Sequence, residues 1–153
     1  MIDQDKRRLG CLYTWSAAVG FASWSESHAQ ATDFSGRRQG ICPNGWHLPT
    51  RAEWKTLEET AGGKEIAGGA LKSQFSWDAD GEGTDNYLFE ALPSGSGTKN
   101  GVRYVGRSAY FWTPNACSVL NAHSVALDSS TKKMFTDECE PKVFLNSVRC
   151  VKN

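Results

Sequence analysis

Residues 45–54 read Gly45-Trp46-His47-Leu48-Pro49-Thr50-Arg51-Ala52-Glu53-Trp54. Thr50 is a good helix N-cap, and Glu53 follows three residues later, which completes the capping-box pattern. Apolar residues then recur at helical spacing as far as Ala61, after which Gly62 and Gly63 end the run. The pattern predicts an amphipathic helix over residues 51–61.

The rest of the chain favours short strands. Apolar segments at 102–105, 109–113, 124–127 and 147–151 are separated by glycine and asparagine. Such spacing is typical of an irregular antiparallel sheet. Because the predicted helix precedes a cluster of strands, the fold class predicted is α+β.

The length and net charge of the chain limit the number of domains and the classes of partner that we expect. The chain has 153 residues, which suggests one domain over 1–153, with the first ten or so residues as a leader or linker. Seventeen basic residues balance seventeen acidic ones, so net charge gives no support for nucleic-acid binding. No apolar run reads as a signal peptide or is long enough to span a bilayer, so we expect no direct membrane insertion. Composition leaves the oligomeric state and the compartment open.

The five cysteines are Cys11, Cys42, Cys117, Cys139 and Cys150. None of them forms a C-x-x-C pair, so neither a zinc ribbon nor a thioredoxin-type site is indicated. The odd count leaves at least one thiol unpaired within a monomer.

Several blocks of sequence carry a family resemblance. They are 39–54, 83–93, Ala109-Tyr110-Phe111-Trp112 and Ser147-Val148-Arg149-Cys150-Val151-Lys152. In order and spacing they resemble the Fibrobacter succinogenes major paralogous domain, a family of bacterial surface-associated modules. The Leu48–Trp54 segment is also similar to the formylglycine-generating enzymes. Both resemblances imply a C-type-lectin-like fold, with one or two helices packed on irregular antiparallel sheets.

The resemblance has consequences for the core and for two cysteines. It implies a disulfide between Cys42, beside the helix, and Cys150, on the last strand. Closing that loop would stabilise the fold by about 4–5 kcal/mol on the chain-entropy model. Two reduced, buried thiols are the alternative in a reducing compartment. The residues expected in the core are Trp46, Trp54, Leu92, Trp112 and Val148.

An acidic segment raises the question of a metal. Asp78, Asp80 and Asp85 surround Gly81 in a stretch that resembles a calcium loop. The segment lacks the full twelve-residue EF-hand pattern, and the family's own Gly-Thr-Asp-x-Tyr segment accounts for Asp85. A solvated turn is therefore the favoured interpretation, with calcium as the alternative, and we expect no cofactor.

The tract from Asn115 to Leu145 departs from the family between flanks that match it. Where the family usually has Asn, Ser, Tyr and Arg, this chain has a mixture of apolar and polar residues. Such a mixture resembles the variable region of proteins altered by diversity-generating retroelements, and ordinary divergence is the alternative. The predicted ligand-binding residues are Asn115, Cys117, Val119, Asn121, His123, Val125, Phe135, Asp137 and Cys139. Cys117 and Cys139 either pair across strands or stay as two thiols on the face.

Three functions compete. The first is a non-catalytic ligand-binding or adhesion module with a protein or glycan ligand, displayed at a cell surface or on a phage particle. The second is a formylglycine-generating enzyme, but the Trp-Glu-Trp segment and the cysteine context of that family are missing. An acid/base pair of His47 and Glu53 is also disfavoured, because the capping box uses Glu53. The third is a structural module of a surface layer.

Overall fold

The computed structural model describes residues 9–21 and 36–153. The helices in those ranges are α1 (Trp15–Val19), α2 (Arg51–Thr60) and α3 (Ala67–Leu71). The strands are β1 (Trp46–His47), β2 (Ser96–Thr98), β3 (Gly101–Arg103), β4 (Ser108–Ala116), β5 (Asn121–Asp128), β6 (Met134–Pro141) and β7 (Val151–Lys152). The leader or linker expected in the first ten residues lies almost wholly outside the described residues.

Helix α2 begins where the sequence predicts. The Glu53 backbone N–H donates to Thr50 Oγ1 at 3.3 Å, and the Thr50 N–H donates to Glu53 Oε2 at 2.9 Å. Both bonds of the capping box are therefore formed, and each satisfies a donor that the helix itself cannot pair. The helix ends at Thr60, and Gly62 and Gly63 follow with φ of 102° and 91°.

The central element is a three-stranded antiparallel sheet in the order β4-β5-β6. Two small antiparallel ribbons, β1-β7 and β2-β3, complete the regular strands of the described residues. Helices and small antiparallel sheets together make the chain an α+β protein, as the sequence predicts.

Each side of the central sheet packs against a different helix. On one side, which we call the α2 side, Phe111 and Val125 join Trp54 in a buried cluster. On the opposite side, the α1 side, Trp112 packs with Trp15 in a second cluster. Trp112 Nε1 donates to the Tyr13 carbonyl at 2.7 Å, so this buried indole is also paired. Neighbouring residues of β4 thus reach opposite cores, as strand alternation requires.

Three of the five residues expected in the core are not fully buried. Trp54 and Trp112 are fully buried, whereas Leu92 and Val148 are partly buried. The expectation for Trp46 is wrong, because its side chain is 39% exposed. His47, its neighbour in β1, takes the buried position, and alternation turns Trp46 outward.

The C-terminal strand is joined to the segment that precedes α2. Trp46 pairs with Lys152, and His47 pairs with Val151, in the β1-β7 ribbon. Beside it Cys42 and Cys150 form the expected disulfide across 108 positions, with their Cα atoms 5.8 Å apart. No helix among residues 9–21 and 36–153 has the length and apolarity to cross a membrane.

Candidate functional site

The tract singled out by sequence forms the end of β4, all of β5 and β6, and the turns that flank them. Its strand β6 contains a β-bulge. Ser124 lies opposite Glu138 and Ala126 opposite Phe135, so Val125 faces two residues of β6 instead of one. Those two residues are Thr136 and Asp137. The bulge adds one residue to β6, and the side chains of both Thr136 and Asp137 lie on the α2 side.

Both bulge residues contact helix α2. Thr136 Oγ1 donates to Glu58 Oε2 at 2.9 Å, in a buried contact. The Arg51 guanidinium donates to the Asp137 carboxylate and forms an exposed ion pair with it. This hydrogen bond from Arg51 is the main reason that the pKa of Asp137 lies below its ordinary value. Edge strand β6 is therefore fixed to the first and to the last turn of α2.

The start of α2 is also fixed to β4. The Arg51 backbone N–H donates to Asn115 Oδ1 at 3.1 Å. Asn115 is only 8% exposed, so the expectation that it contacts a ligand is corrected. Its side chain serves the N-terminus of the helix, where backbone donors lack intrahelical partners.

A compact projection lies where β4 turns into β5. We call it the tip and define it as residues 117–120, Cys139 and 141–143. Cys117 and Cys139 form a disulfide with a Cα–Cα distance of 6.4 Å. The Lys142 N–H donates to the Leu120 carbonyl at 2.9 Å, which holds the segment after β6 against the turn.

The tip exposes apolar side chains. Val119 is 44% exposed, Leu120 55% and Val143 51%. The hydrogen bond between Lys142 and Leu120 places Val143 close to the turn, so the three residues lie at the same end of the central sheet. Exposed apolar groups gathered in one place are a common mark of an interaction surface.

The structure divides the nine predicted ligand-binding residues into three groups. Cys117, Val119 and Cys139 belong to the tip. Asn121, His123 and Asp137 lie next to it on the α2 side, where His123 is opposite Cys139 in the strand register. Asn115, Val125 and Phe135 do not join them.

Val125 and Phe135 lie apart from the tip for different reasons. Val125 is fully buried in the cluster beneath α2, so it cannot contact a ligand. Phe135 lies opposite Ala126 on the α1 side, because the bulge adds a residue between it and Asp137. Simple alternation along β6, which the sequence suggests, would place Phe135 and Asp137 on one face.

Sequence reasoning missed Arg51 as part of this region. A signal for it exists in the sequence. Arg51 is the first residue of α2, where the helix dipole disfavours a positive charge. A cation in that position indicates a nearby carboxylate, and Asp137 provides it.

The acidic segment around Gly81 forms hydrogen bonds to its own backbone and to a neighbouring loop. No group of three or more His, Cys, Asp or Glu side chains gathers to hold a metal in the described part of the chain. Asp85 Oδ1 instead accepts from the Glu90 N–H at 2.7 Å, and the Asp78 N–H donates to the Gly106 carbonyl. Asp80 has a φ of 55° and is exposed. These contacts support the favoured interpretation of residues 78–85 as a turn.

His47 and Glu53 meet in the structure, but in a structural role. His47 Nε2 lies 2.9 Å from Glu53 Oε1, and His47 Nδ1 lies 2.6 Å from Asn153 Oδ1. Burial favours a higher pKa for Glu53, but hydrogen bonds from Thr50 and His47 outweigh it and lower the pKa. His47 is only 2% exposed, and its ring connects Glu53 of α2 to Asn153 beside β7.

The family model for the Fibrobacter succinogenes major domain matches residues 2–152. That is almost the whole chain. The chain belongs to this family. Comparisons with curated proteins and with solved structures give no match.

In this Fibrobacter succinogenes major domain the family-like blocks supply the framework. The block at 39–54 contains Cys42 and helix α2, and the last block contains Cys150. Cys11 is exposed and is the free cysteine of the described residues. The two disulfides indicate an oxidising environment, since such bonds are rare in the cytosol.

Proposed function

We propose that this Fibrobacter succinogenes major domain is a non-catalytic binding module with a C-type-lectin-like fold, which holds a protein ligand at its tip. The observation that carries the proposal is the tip itself. Three exposed apolar side chains lie together on a projection that a disulfide and a backbone hydrogen bond both brace. Rigid surfaces lose little conformational entropy on binding, which favours affinity.

The surroundings of the tip favour a protein as ligand. Asp137 and Arg51 form an exposed charged pair on the adjoining α2 side, so apolar and charged groups are side by side. Protein interfaces commonly have an apolar centre and a polar rim. Glycans are the alternative ligand, but their sugar rings commonly stack on aromatic side chains, and residues 117–120, Cys139 and 141–143 contain none.

A variable region at this position fits the framework around it. Phe111 and Trp112 lie in the two cores, whereas Val119, Leu120 and Val143 are exposed and replaceable at little cost in stability. Diversification by a retroelement would act on such positions. Genomic copies compared over 115–145 should then differ at the tip but keep Asn115 and Val125, and uniform divergence over the tract would favour ordinary drift.

The proposed location is a cell surface or a phage particle. Disulfides persist outside the cytosol, and the family resemblance is to surface-associated modules. The enzyme alternative requires two thiols that can meet in a groove. Cys42, Cys117, Cys139 and Cys150 are instead consumed in disulfides. This pairing supports a binding role over formylglycine chemistry.

The test is a screen of three purified chains against an array of extracellular proteins and an array of glycans. The first chain is the parent, and the second carries Leu120→Ser and Val143→Ser. The third is a control with Ile66→Ser and Ile41→Ser, which removes exposed apolar groups far from the tip in sequence. All three should have melting temperatures within a few degrees, because each replaced side chain is at least 40% exposed.

We expect at least one protein on the array to bind the parent and the control but not the tip variant. Binding only to glycans would change the ligand class of the proposal. No binding by the parent, or equal binding by all three chains, would favour the structural-module function.

A further inference from the structure

A groove lies on the α1 side of the central sheet, along strand β5. Its floor is Ala126, a small residue, between Tyr110 of β4 and Phe135 of β6. Tyr110 lines two cavities, of about 280 and 260 Å³. The second cavity reaches Glu140, beside the start of β5, so the groove runs toward the tip.

Two carboxylates of this groove lack a counter-charge. Glu138 lines the first cavity and Glu140 the second. Within the described ranges neither has an ion-pair partner closer than 4.0 Å, and Arg103, which also lines the second cavity, does not pair with Glu140. Burial and then the charge of Glu138 raise the pKa of Glu140, so the two acids repel each other.

Aromatic side chains also line both cavities of the groove. Tyr110 and Phe135 line the first cavity, and Tyr104 and Phe144 line the second beside Tyr110. Cations are attracted both to the faces of such rings and to carboxylates. An arginine or lysine side chain can meet both requirements, because its stem is apolar and its head is charged.

We infer that the groove between Tyr110 and Phe135 binds arginine or lysine side chains of a basic segment of the protein ligand. The inference rests on the proposed function, because it takes the ligand to be a protein that also covers the tip. A bound cation would lie between Glu138 and Glu140 and reduce their mutual repulsion. The guanidinium of arginine fits best, since it is planar and can stack on a ring while donating to a carboxylate.

The probe is the peptide acetyl-Arg-Arg-Arg-amide, titrated into the full chain labelled with nitrogen-15. Chemical shifts of the backbone amides report both position and affinity. We expect changes centred on Tyr110, Ala126, Glu138 and Glu140, with a dissociation constant on the order of 1 mM. The citrulline analogue, which has the same shape without the charge, should cause much smaller changes, and acetyl-Glu-Glu-Glu-amide none in the groove.

Two matched variants distinguish binding in the groove from nonspecific attraction of the peptide to negative charge on the protein. Glu138→Gln with Glu140→Gln should weaken binding of the arginine peptide at least about fivefold, and its fold should stay intact because repulsion is removed. Glu59→Gln with Glu65→Gln makes the same change in net charge elsewhere and should leave the affinity unchanged. Equal weakening by both variants, or equal binding of the citrulline peptide, would overturn the inference.

The outcome is distinguishable from failure of the proposed function. The tip variant with Leu120→Ser and Val143→Ser should still bind the arginine peptide. If it does, and the peptide depends on Glu138 and Glu140, the groove is established even where no array protein requires the tip. If array proteins require the tip while none loses affinity on the Glu138 and Glu140 changes, the groove inference is overturned and the proposed function remains.

Discussion

The stabilisation that the disulfide between Cys117 and Cys139 gives to the fold can be calculated from the length of the loop that it closes. It closes a loop over a sequence separation of 22, whereas the Cys42–Cys150 bond closes one of 108. The chain-entropy relation gives a stabilisation of about 3.4 kcal/mol for the short loop and about 4.8 kcal/mol for the long one. Removing the Cys117–Cys139 disulfide should therefore lower the melting temperature by about 7–14 °C for a domain of this size.

The measurement is urea unfolding, followed by tryptophan fluorescence, of the variant with Cys117→Ser and Cys139→Ser. The variant with Cys42→Ser and Cys150→Ser should lose about 1.4 kcal/mol more, because only the logarithm of loop length differs. Cys11→Ser, at an exposed free thiol, serves as the control and should change stability by less than about 0.5 kcal/mol. A loss below about 1 kcal/mol for the tip disulfide, or a larger loss than for the long loop, would refute the reasoning.

Three further predictions concern the framework. Thr50→Ala should lower the free energy of unfolding by about 1 kcal/mol through loss of the helix cap, and an unchanged value would show that the cap is dispensable. Trp112→Ala should cost about 3–5 kcal/mol, because its side chain is fully buried, and an unchanged melting temperature would contradict that. Glu53 and Asp137 have lowered pKa values, so the stability they provide is complete above about pH 5 and is lost as the pH falls through those values. Asp137→Asn should therefore reduce the acid dependence of stability measured by urea unfolding between about pH 5 and pH 2, and an identical dependence would exclude the Arg51 pair as its source.

Local and covalent features of this fold could be predicted from the sequence. The start of α2 depends only on Thr50 and Glu53, which are three residues apart and form both capping bonds. The Cys42–Cys150 bond could be predicted because the family resemblance brought the two cysteines together. Neither feature requires knowledge of how the strands pair.

The binding surface could be predicted only in part, because strand register is not local. Counting alternate residues along β6 puts Phe135, Asp137 and Cys139 on one face. The bulge opposite Val125 adds one residue, so Phe135 enters the groove while Asp137 meets Arg51. Whether a strand contains a bulge depends on its partner and on contacts such as that of Thr136 with Glu58, which no short sequence pattern shows.

The burial of Val125 has a similar origin. The sequence makes it an apolar residue two positions after His123, which fits an exposed face as well as a core. Contact with the α2 cluster decides the matter. A residue of this kind can be assigned only when the helix that covers the strand has been placed.

The central claim is that the tip holds a protein ligand, and one ratio tests it most directly. The dissociation constant of the tip variant, with Leu120→Ser and Val143→Ser, is divided by that of the control variant, with Ile66→Ser and Ile41→Ser. Both are measured by biolayer interferometry against the array protein that the parent binds best. We predict a ratio of at least about ten, which corresponds to about 1.4 kcal/mol of lost apolar contact. A ratio near one would contradict the claim and place the ligand on another surface.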